Sequence, residues 1–446
     1  MTTTKNNEHK KLNFSSEREQ SQACLNSAEH EKNQGRKVLN VPNLRFPEFQ
    51  GEWEKCKVSD LLDFYSTNSL SWDKLEYGTT NIQNLHYGLI HVGLPTMVDI
   101  DKDNLPNIID GNVPKNYELC KEGDIVFADA SEDTNEVAKA VEYYNLNGKK
   151  VVCGLHTIHG RDNKNKTVVG YKGYAFSSMS FHHQIRRIAQ GTKIYSINSK
   201  NFSECYVGIP SKDEQQKIAD LLRLIDERIA TQNKIIEDLK KLKSAIIENV
   251  FDDKHSERLQ LDNVGSYIRG LTYSSNDVVE HGGTLVMRSN NIVNGSLLDY
   301  NNNVVFVNKQ MSAEQQLQNG DIVICMANGN SSLVGKSSFY DGNWHSSITV
   351  GAFCGIYRSK EPIVKWLFQT NKYRRYIWNS LQGGNGAIAN LNGEDILNMS
   401  FSIPNATIKD TCVKMLTSVD SALENNMSLC ALYTLQKQHL LRQMFI

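Results

Sequence analysis

No stretch of this 446-residue chain approaches the roughly 18 consecutive apolar residues a membrane-spanning helix needs. The N-terminus, MTTTKNNEHKK, has no apolar core and does not read as a secretory signal. Charge of one sign is also missing: 49 Lys and Arg face 50 Asp and Glu, for a formal charge of −1. Any surface for nucleic acid or membrane must therefore be local. The 9 cysteines are scattered singly from Cys24 to Cys430, with no C-x-x-C pair. That pattern predicts buried or free thiols in a reducing cytosol, and neither disulfides nor zinc. The expectation is a soluble, cytoplasmic protein.

Recognisable catalytic chemistry is scarce as well. There is no G-x-S-x-G elbow, no H-E-x-x-H and no G-x-G-x-x-G. No N-P-P-[YF] or D-P-P-[YF] tetrapeptide occurs, so the usual signature of an amino-methyltransferase is absent. GNSSLVGKS, Gly329 to Ser337, resembles a phosphate-binding loop but places five residues between its glycines where that motif has four. A turn leading into the next strand is the better reading. His182 and His183 are adjacent; on a strand they would point to opposite faces and share no metal.

What is present is periodic. From Ser211 to Phe251, Ile218, Leu222, Ile225, Ile229, Ile236, Leu239, Ile246 and Val250 fall on alternating steps of four and three, interrupted by Gln232 and Lys243. This is a heptad-like stripe on a helix about 50 Å long. Pro210 precedes it, and Ser211 with Glu214 predicts a capping box. An offset of 194 regenerates the stripe as Cys412, Leu416, Val419, Leu423, Cys430, Tyr433, Leu440 and Met444, with Asn426 and Lys437 as the interruptions. Pro404, Asp420 and Phe445 repeat Pro210, Asp226 and Phe251 at the same offset. So many coincidences at one spacing mark an internal repeat. Narrow seams in matching register predict that the helices bury them against each other, as an antiparallel coiled coil. The pairing set is Ile218, Leu222, Ile225, Ile229, Gln232, Ile236 and Leu239 against Leu416, Val419, Leu423, Asn426 and Leu440, with both amides inside the seam.

The rest of the chain follows the same plan twice. Residues 1–40 are dominated by Lys, Asn, Ser, Glu and Gln and read as a disordered polar extension. Order is expected from VPNLRFPEFQGEWE, with Leu44, Phe46, Phe49 and Trp53 as anchors. Short apolar runs then alternate with Gly, Asn and Asp. NIQNLHYG at Asn81 is matched by RSNNIVNG at Arg288, and GDIVFA at Gly123 by GDIVIC at Gly320. The expected fold is α+β, in five segments: 1–40, a mixed domain at 41–210, a helix at 211–254, a second mixed domain at 255–404 and a helix at 405–446.

Each domain carries one basic block. Arg161, Lys164, Lys166, Lys172, Arg186, Arg187, Lys193 and Lys200 stand against Asp162 alone, interleaved with Tyr171, Tyr174, Phe176 and Phe181. Arg358, Lys360, Lys365, Lys372, Arg374 and Arg375 stand against Glu361, with Trp366, Tyr373, Tyr376 and Trp378. Paired basic, aromatic blocks in a neutral protein predict phosphate-contacting surfaces, where a merely solvated face would mix its charges. Glycine-containing segments follow each block, from which Lys193 or Asn385 could reach base edges. Arg288, Asn290 and Asn291 form a further candidate group, though asparagine is equally at home in turns.

Two dissimilar domains, each followed by a similar long helix, closely resemble the specificity subunit of a type I restriction–modification system. The helices at 211–251 and 405–445, the duplicated GDIV strands and the opener VPNLRFPEFQGEWE carry the likeness. The resemblance covers residue 41 to the C-terminus; residues 1–40 depart from it. It implies two target recognition domains, each reading half of a bipartite, asymmetric site in double-stranded DNA, with the helices setting the spacer. It implies a non-catalytic chain without cofactor or metal, partnered by two modification subunits that bind S-adenosylmethionine and by restriction subunits that use ATP and Mg. Two other readings remain at this stage: an interaction protein pairing through its helices without DNA, and a nucleotide enzyme using Gly329–Ser337.

Overall fold

A computed structural model describes residues 39–79, 81–252, 254, 257–381 and 389–446. The expectation of a disordered extension and the candidate Asn385 lie outside these residues, apart from Leu39 and Asn40. The chain divides into two compact units, one made of residues up to Asp226 with Gln436–Ile446, the other of Glu227–Leu435.

The first unit is mixed α/β. Its larger sheet runs Asp63–Tyr65, Thr157–Arg161, Ile125–Ala128, Ala140–Asn145, Met97–Asp99, antiparallel except for the last pair. Ile125–Ala128, the apolar half of GDIVFA, is buried at every residue, as a central strand covered on both faces requires. Gly123 enters it at φ +83°, a conformation glycine adopts without strain. A smaller sheet carries Val151–Cys153, Gln83–Leu85, Asn107–Ile108 and Leu75–Glu76. Helix α1 (Met179–Ile188) follows, capped by Ser178. It carries His182 and His183, which the sequence reading placed on a strand. Only Phe181 and Ile185 are buried along its ten residues, too few apolar positions to set a period by themselves. Glu54–Lys57 pairs with Tyr206–Ile209 and closes the unit directly before the first long helix.

Helix α2 spans Lys212–Val250, 39 residues, or about 58 Å at about 1.5 Å per residue. At its start the Ser211 hydroxyl accepts the Glu214 N–H at 3.4 Å. The Glu214 carboxylate, however, accepts from Arg45 at 2.7 and 2.8 Å and from the Trp53 indole at 3.3 Å. A charged bidentate donor outcompetes the single neutral N–H at Ser211, so the expected reciprocal capping box is taken over by a tertiary contact. Of the N-terminal anchors, Trp53 is buried, Phe46 and Phe49 are half-buried and Leu44 is exposed.

The second unit is also mixed. One antiparallel sheet runs Gly265–Arg269, Cys354–Ser359, Ile322–Cys325, Ser337–Phe339; another runs Val278–Val279, Val305–Val307, Thr284–Met287, Ile348–Val350, its last pair parallel. Helix α3 (Asn371–Leu381) lies against the segment before Ser337. Helix α4 (Ala406–Gln443) ends the chain with 38 residues. The core gathers Ile247, Val250 and Phe251 from the end of α2 with Cys412 and Leu416 from the start of α4.

Along α2, Ile218, Leu222, Ile225, Gln232 and Ile236 are buried and Ile229 and Leu239 half-buried. Along α4, Leu416, Leu423 and Leu440 are buried and Val419 and Asn426 half-buried. Within the second unit the Gln232 amide donates to Asn426 Oδ1, Cys430 Sγ to Asn233 Oδ1 at 3.2 Å, and Lys243 Nζ lies 2.7 Å from Asp420. Within the first, Lys437 Nζ lies 2.6 Å from Asp226.

Candidate nucleic-acid interface

The sequence-predicted cations separate into buried partners and surface groups. Arg161 is buried on its strand. Its Nε and Nη2 donate to Asp124 at 2.8 Å, its Nη1 to Glu118 at 2.7 Å, and its guanidinium lies 4.3 Å from the Tyr65 ring centre. Hydrogen bonding to Asp124 holds its proton more firmly still. Lys172 is buried 2.9 Å from Glu142 and donates to Thr167. Lys166 lies 2.6 Å from Glu54, and Lys164 donates to the Asp60 carbonyl at 2.8 Å. Arg161 and Lys172 are therefore corrected from candidate phosphate contacts to structural ion pairs. The partners that neutralise them lie tens of residues away, on other strands, where counting charges along the chain does not look. Arg358 repeats the arrangement, donating to Asp321 at 2.7 and 2.8 Å; this pair stands 197 residues beyond Arg161 and Asp124.

Asn291 is corrected too. It is fully buried; its Oδ1 accepts the Arg288 N–H at 2.9 Å and its Nδ2 donates to the Asp299 and Asn302 carbonyls. With its amide spent on its own loop, Asn291 has nothing left for a base edge. Arg288 donates to the Asn303 carbonyl at 2.9 Å, while Asn290 beside it is exposed.

In each unit, several of the exposed cations lie on or just after one short helix. In the first, Arg186 and Arg187 are exposed in the last turn of α1, and Lys193 is exposed in the following turn. Arg186 donates to Asn135 at 3.1 Å, on a loop that also carries Asp133 and Glu136. In the second unit, Arg374 and Arg375 are exposed on α3 and Lys372 is half-buried. Four residues beyond Arg374, Trp378 leaves 67% of its surface exposed, uncommon for so large an apolar side chain.

Arg374 and Trp378 form one wall of a cleft of about 840 Å³. Gly329, Ser332 and Lys336 form the other, so the segment that resembled a phosphate-binding loop turns out to face the basic helix. It is a single 3₁₀ turn, Ser331–Leu333, leading to the strand Ser337–Phe339. Gly335, at φ +81°, lies under Ile377 of α3 with no room for a Cβ, and its carbonyl accepts the Tyr373 hydroxyl at 2.8 Å. The glycine lets helix and loop approach closely. Neither the cleft nor the prominence of Trp378 follows from the spacing of charges alone.

Around this cleft the second unit presents one exposed arginine, an exposed tryptophan and a backbone loop. Residues 51–241 match the family described as the type I restriction modification DNA specificity domain. Over 220 residues the chain is 26% identical to the putative type I restriction enzyme MjaX specificity subunit of Methanocaldococcus jannaschii, covering 48% of this chain and 49% of that one. It is 33% identical over 153 residues to the type I restriction enzyme EcoKI specificity subunit of Escherichia coli K12, covering 32% and 31%. The matches thus span half, or less, of the curated relatives' length. In fold the chain is similar to the crystal structure of the type I restriction–modification S subunit from M. genitalium, with a TM-score of 0.56 at 15% identity over 91% of this chain and 99% of that one. The chain is thus similar to type I restriction–modification specificity subunits, through a DNA specificity domain at 51–241. No described helix is long and apolar enough to cross a membrane.

Proposed function

We propose that this chain is the non-catalytic DNA-specificity subunit of a type I restriction–modification complex. Each mixed unit is a target recognition domain, at 41–210 and 255–404, that reads one half of a bipartite, asymmetric site. The helices at 211–254 and 405–446 pair antiparallel, fix the spacer and dock two modification subunits. S-adenosylmethionine belongs to those subunits, and ATP and Mg to the restriction subunits.

The observation that carries this reading is the placement of the seam interruptions. Lys243 pairs with Asp420, and Lys437 with Asp226. Each residue of the first pair has its counterpart in the second at an offset of 194, and the Gln232–Asn426 contact maps onto itself under the same offset. Antiparallel pairing of two copies of one helix produces that pattern. A helix of about 58 Å exceeds the ~34 Å of one duplex turn. Methylating a base requires extruding it into a pocket, a task for a partner.

The reading is tested at the α3 cleft. The double variant Arg374→Ala and Arg375→Ala should weaken DNA binding by the full chain at every sequence. For each phosphate no longer neutralised, the slope of log affinity against log salt should shrink by about 0.9. Unchanged affinity and slope at low salt would remove this helix from the interface.

A further inference from the structure

In the first unit two thiols and an imidazole converge beside the Arg161–Asp124 pair. Cys153 ends the strand Val151–Cys153, and His159 lies in the middle of Thr157–Arg161. Cys120 comes from the segment ahead of Ile125 and is held by its N–H on the Val151 carbonyl at 2.8 Å. Cys120 and Cys153 Sγ are 3.4 Å apart, and both sulfurs and a ring nitrogen of His159 lie within 4.8 Å of one another. All three side chains are buried.

A further observation points to a ligand. Asp124 takes Nε2 of His159 at 2.7 Å, which leaves Nδ1 as the ring's open position, and Nδ1 is buried with no hydrogen-bond partner among the described residues. The hydroxyl of Tyr143 is buried beside both cysteines, with Cys120 as its nearest polar neighbour. A buried ring nitrogen without a partner is costly unless something satisfies it. The second unit shows that packing alone does not require one. There the N–H of Leu317 meets the Ile348 carbonyl at 3.0 Å, as Cys120 meets Val151, both residues displaced by 197. At that displacement Cys120, Cys153 and His159 become Leu317, Val350 and Ile356, all buried in a plain apolar cluster.

We propose that Cys120, Cys153 and His159 bind a tetrahedral divalent cation of the zinc class, with the fourth position beside the Tyr143 hydroxyl. Zn–S bonds of about 2.3 Å in a tetrahedron set the sulfurs about 3.8 Å apart, a small opening from the present distance. Two thiolates and a neutral imidazole cancel the charge of the cation, and binding releases the two thiol protons to solvent. Asp124, itself anchored by Arg161, orients the imidazole in the carboxylate–histidine–metal manner. The ion would pin the segment bearing Cys120 to the sheet of the first unit. The spacing of these cysteines, 33 residues apart, resembles no zinc motif, which is why the sequence argued against zinc.

The test is cobalt(II) titration of the reduced, chelator-stripped full chain, read by thiolate-to-cobalt charge-transfer absorption and tetrahedral d–d bands. One equivalent should bind, zinc should displace it, and Cys430→Ser should change nothing. The triple variant Cys120→Leu, Cys153→Val and His159→Ile, which copies the side chains of the second unit, should lose the bands while keeping its circular dichroism. Absence of a charge-transfer band in the reduced native chain would overturn the proposal, whatever the variants do. So would a band that persists in the triple variant, or a native Cys120–Cys153 disulfide whose reduction restores no cobalt binding.

Discussion

Asp420 shows how much one side chain of this protein can carry. Its carboxylate lies 2.7 Å from Lys243 Nζ and 2.8 Å from Lys365 Nζ, and accepts the Trp366 indole N–H at 3.1 Å. Burial alone would push this carboxyl up, but the two ammonium groups outweigh it and hold it below the usual aspartate range. Burial also pulls Lys243 below its ordinary value. In both cases the unfolded chain binds the extra proton, so stability rises with pH. The contribution of Asp420 is present above about pH 4, the unfolded value, and is lost as pH falls through the lower folded one. Asp420→Asn should therefore cost about 3 kcal/mol at neutral pH, since it strands buried ammonium charge, and should flatten the acid limb of the denaturation midpoint. An acid limb identical to that of the native protein would contradict this account. At the residue scale the sequence was only partly legible. The 194-residue offset picked out Asp420, Lys243 and their counterparts, because a repeat preserves partners it does not name. Arg161 and Lys172 were misread, because the carboxylates that claim them arrive from neighbouring strands.

At the scale of elements, the long helices were the most legible objects in the chain. Apolar residues at steps of four and three along 39 positions leave little else to form, and the observed α2 and α4 begin and end within a few residues of the proline and phenylalanine landmarks. The short helices were less visible. α1 buries only two apolar residues along its ten, and the basic residues of α3 gave no hint of the loop they face. The amides of the seam make the proposed pairing testable. Gln232 Nε2 donates to Asn426 Oδ1, and Asn426 Nδ2 donates to the Ala422 carbonyl at 2.6 Å. Gln232→Leu alone leaves the Asn426 carbonyl without its partner and should cost about 1–3 kcal/mol. Replacing both with Leu buries apolar surface on both sides and should raise the melting temperature by about 2–4 °C. If the double replacement melts below the single one, the two amides do not share a seam.

At the scale of the whole molecule, spacings along the chain were legible and the cleft was not. Repeats announce themselves by spacing, whereas a cleft is assembled from a turn at Gly329, a helix at Arg374 and an aromatic at Trp378 that share no motif. The proposed division of labour gives this chain the choice of sequence and gives its partners the chemistry. The most direct measurement is a map of N6-methyladenine, by single-molecule sequencing, in a methylation-deficient host expressing this chain with its modification subunit. The account predicts one split motif, two half-sites separated by a fixed spacer, present only when both chains are expressed. An unchanged methylation pattern despite a stable complex, or a motif that persists without this chain, would contradict it.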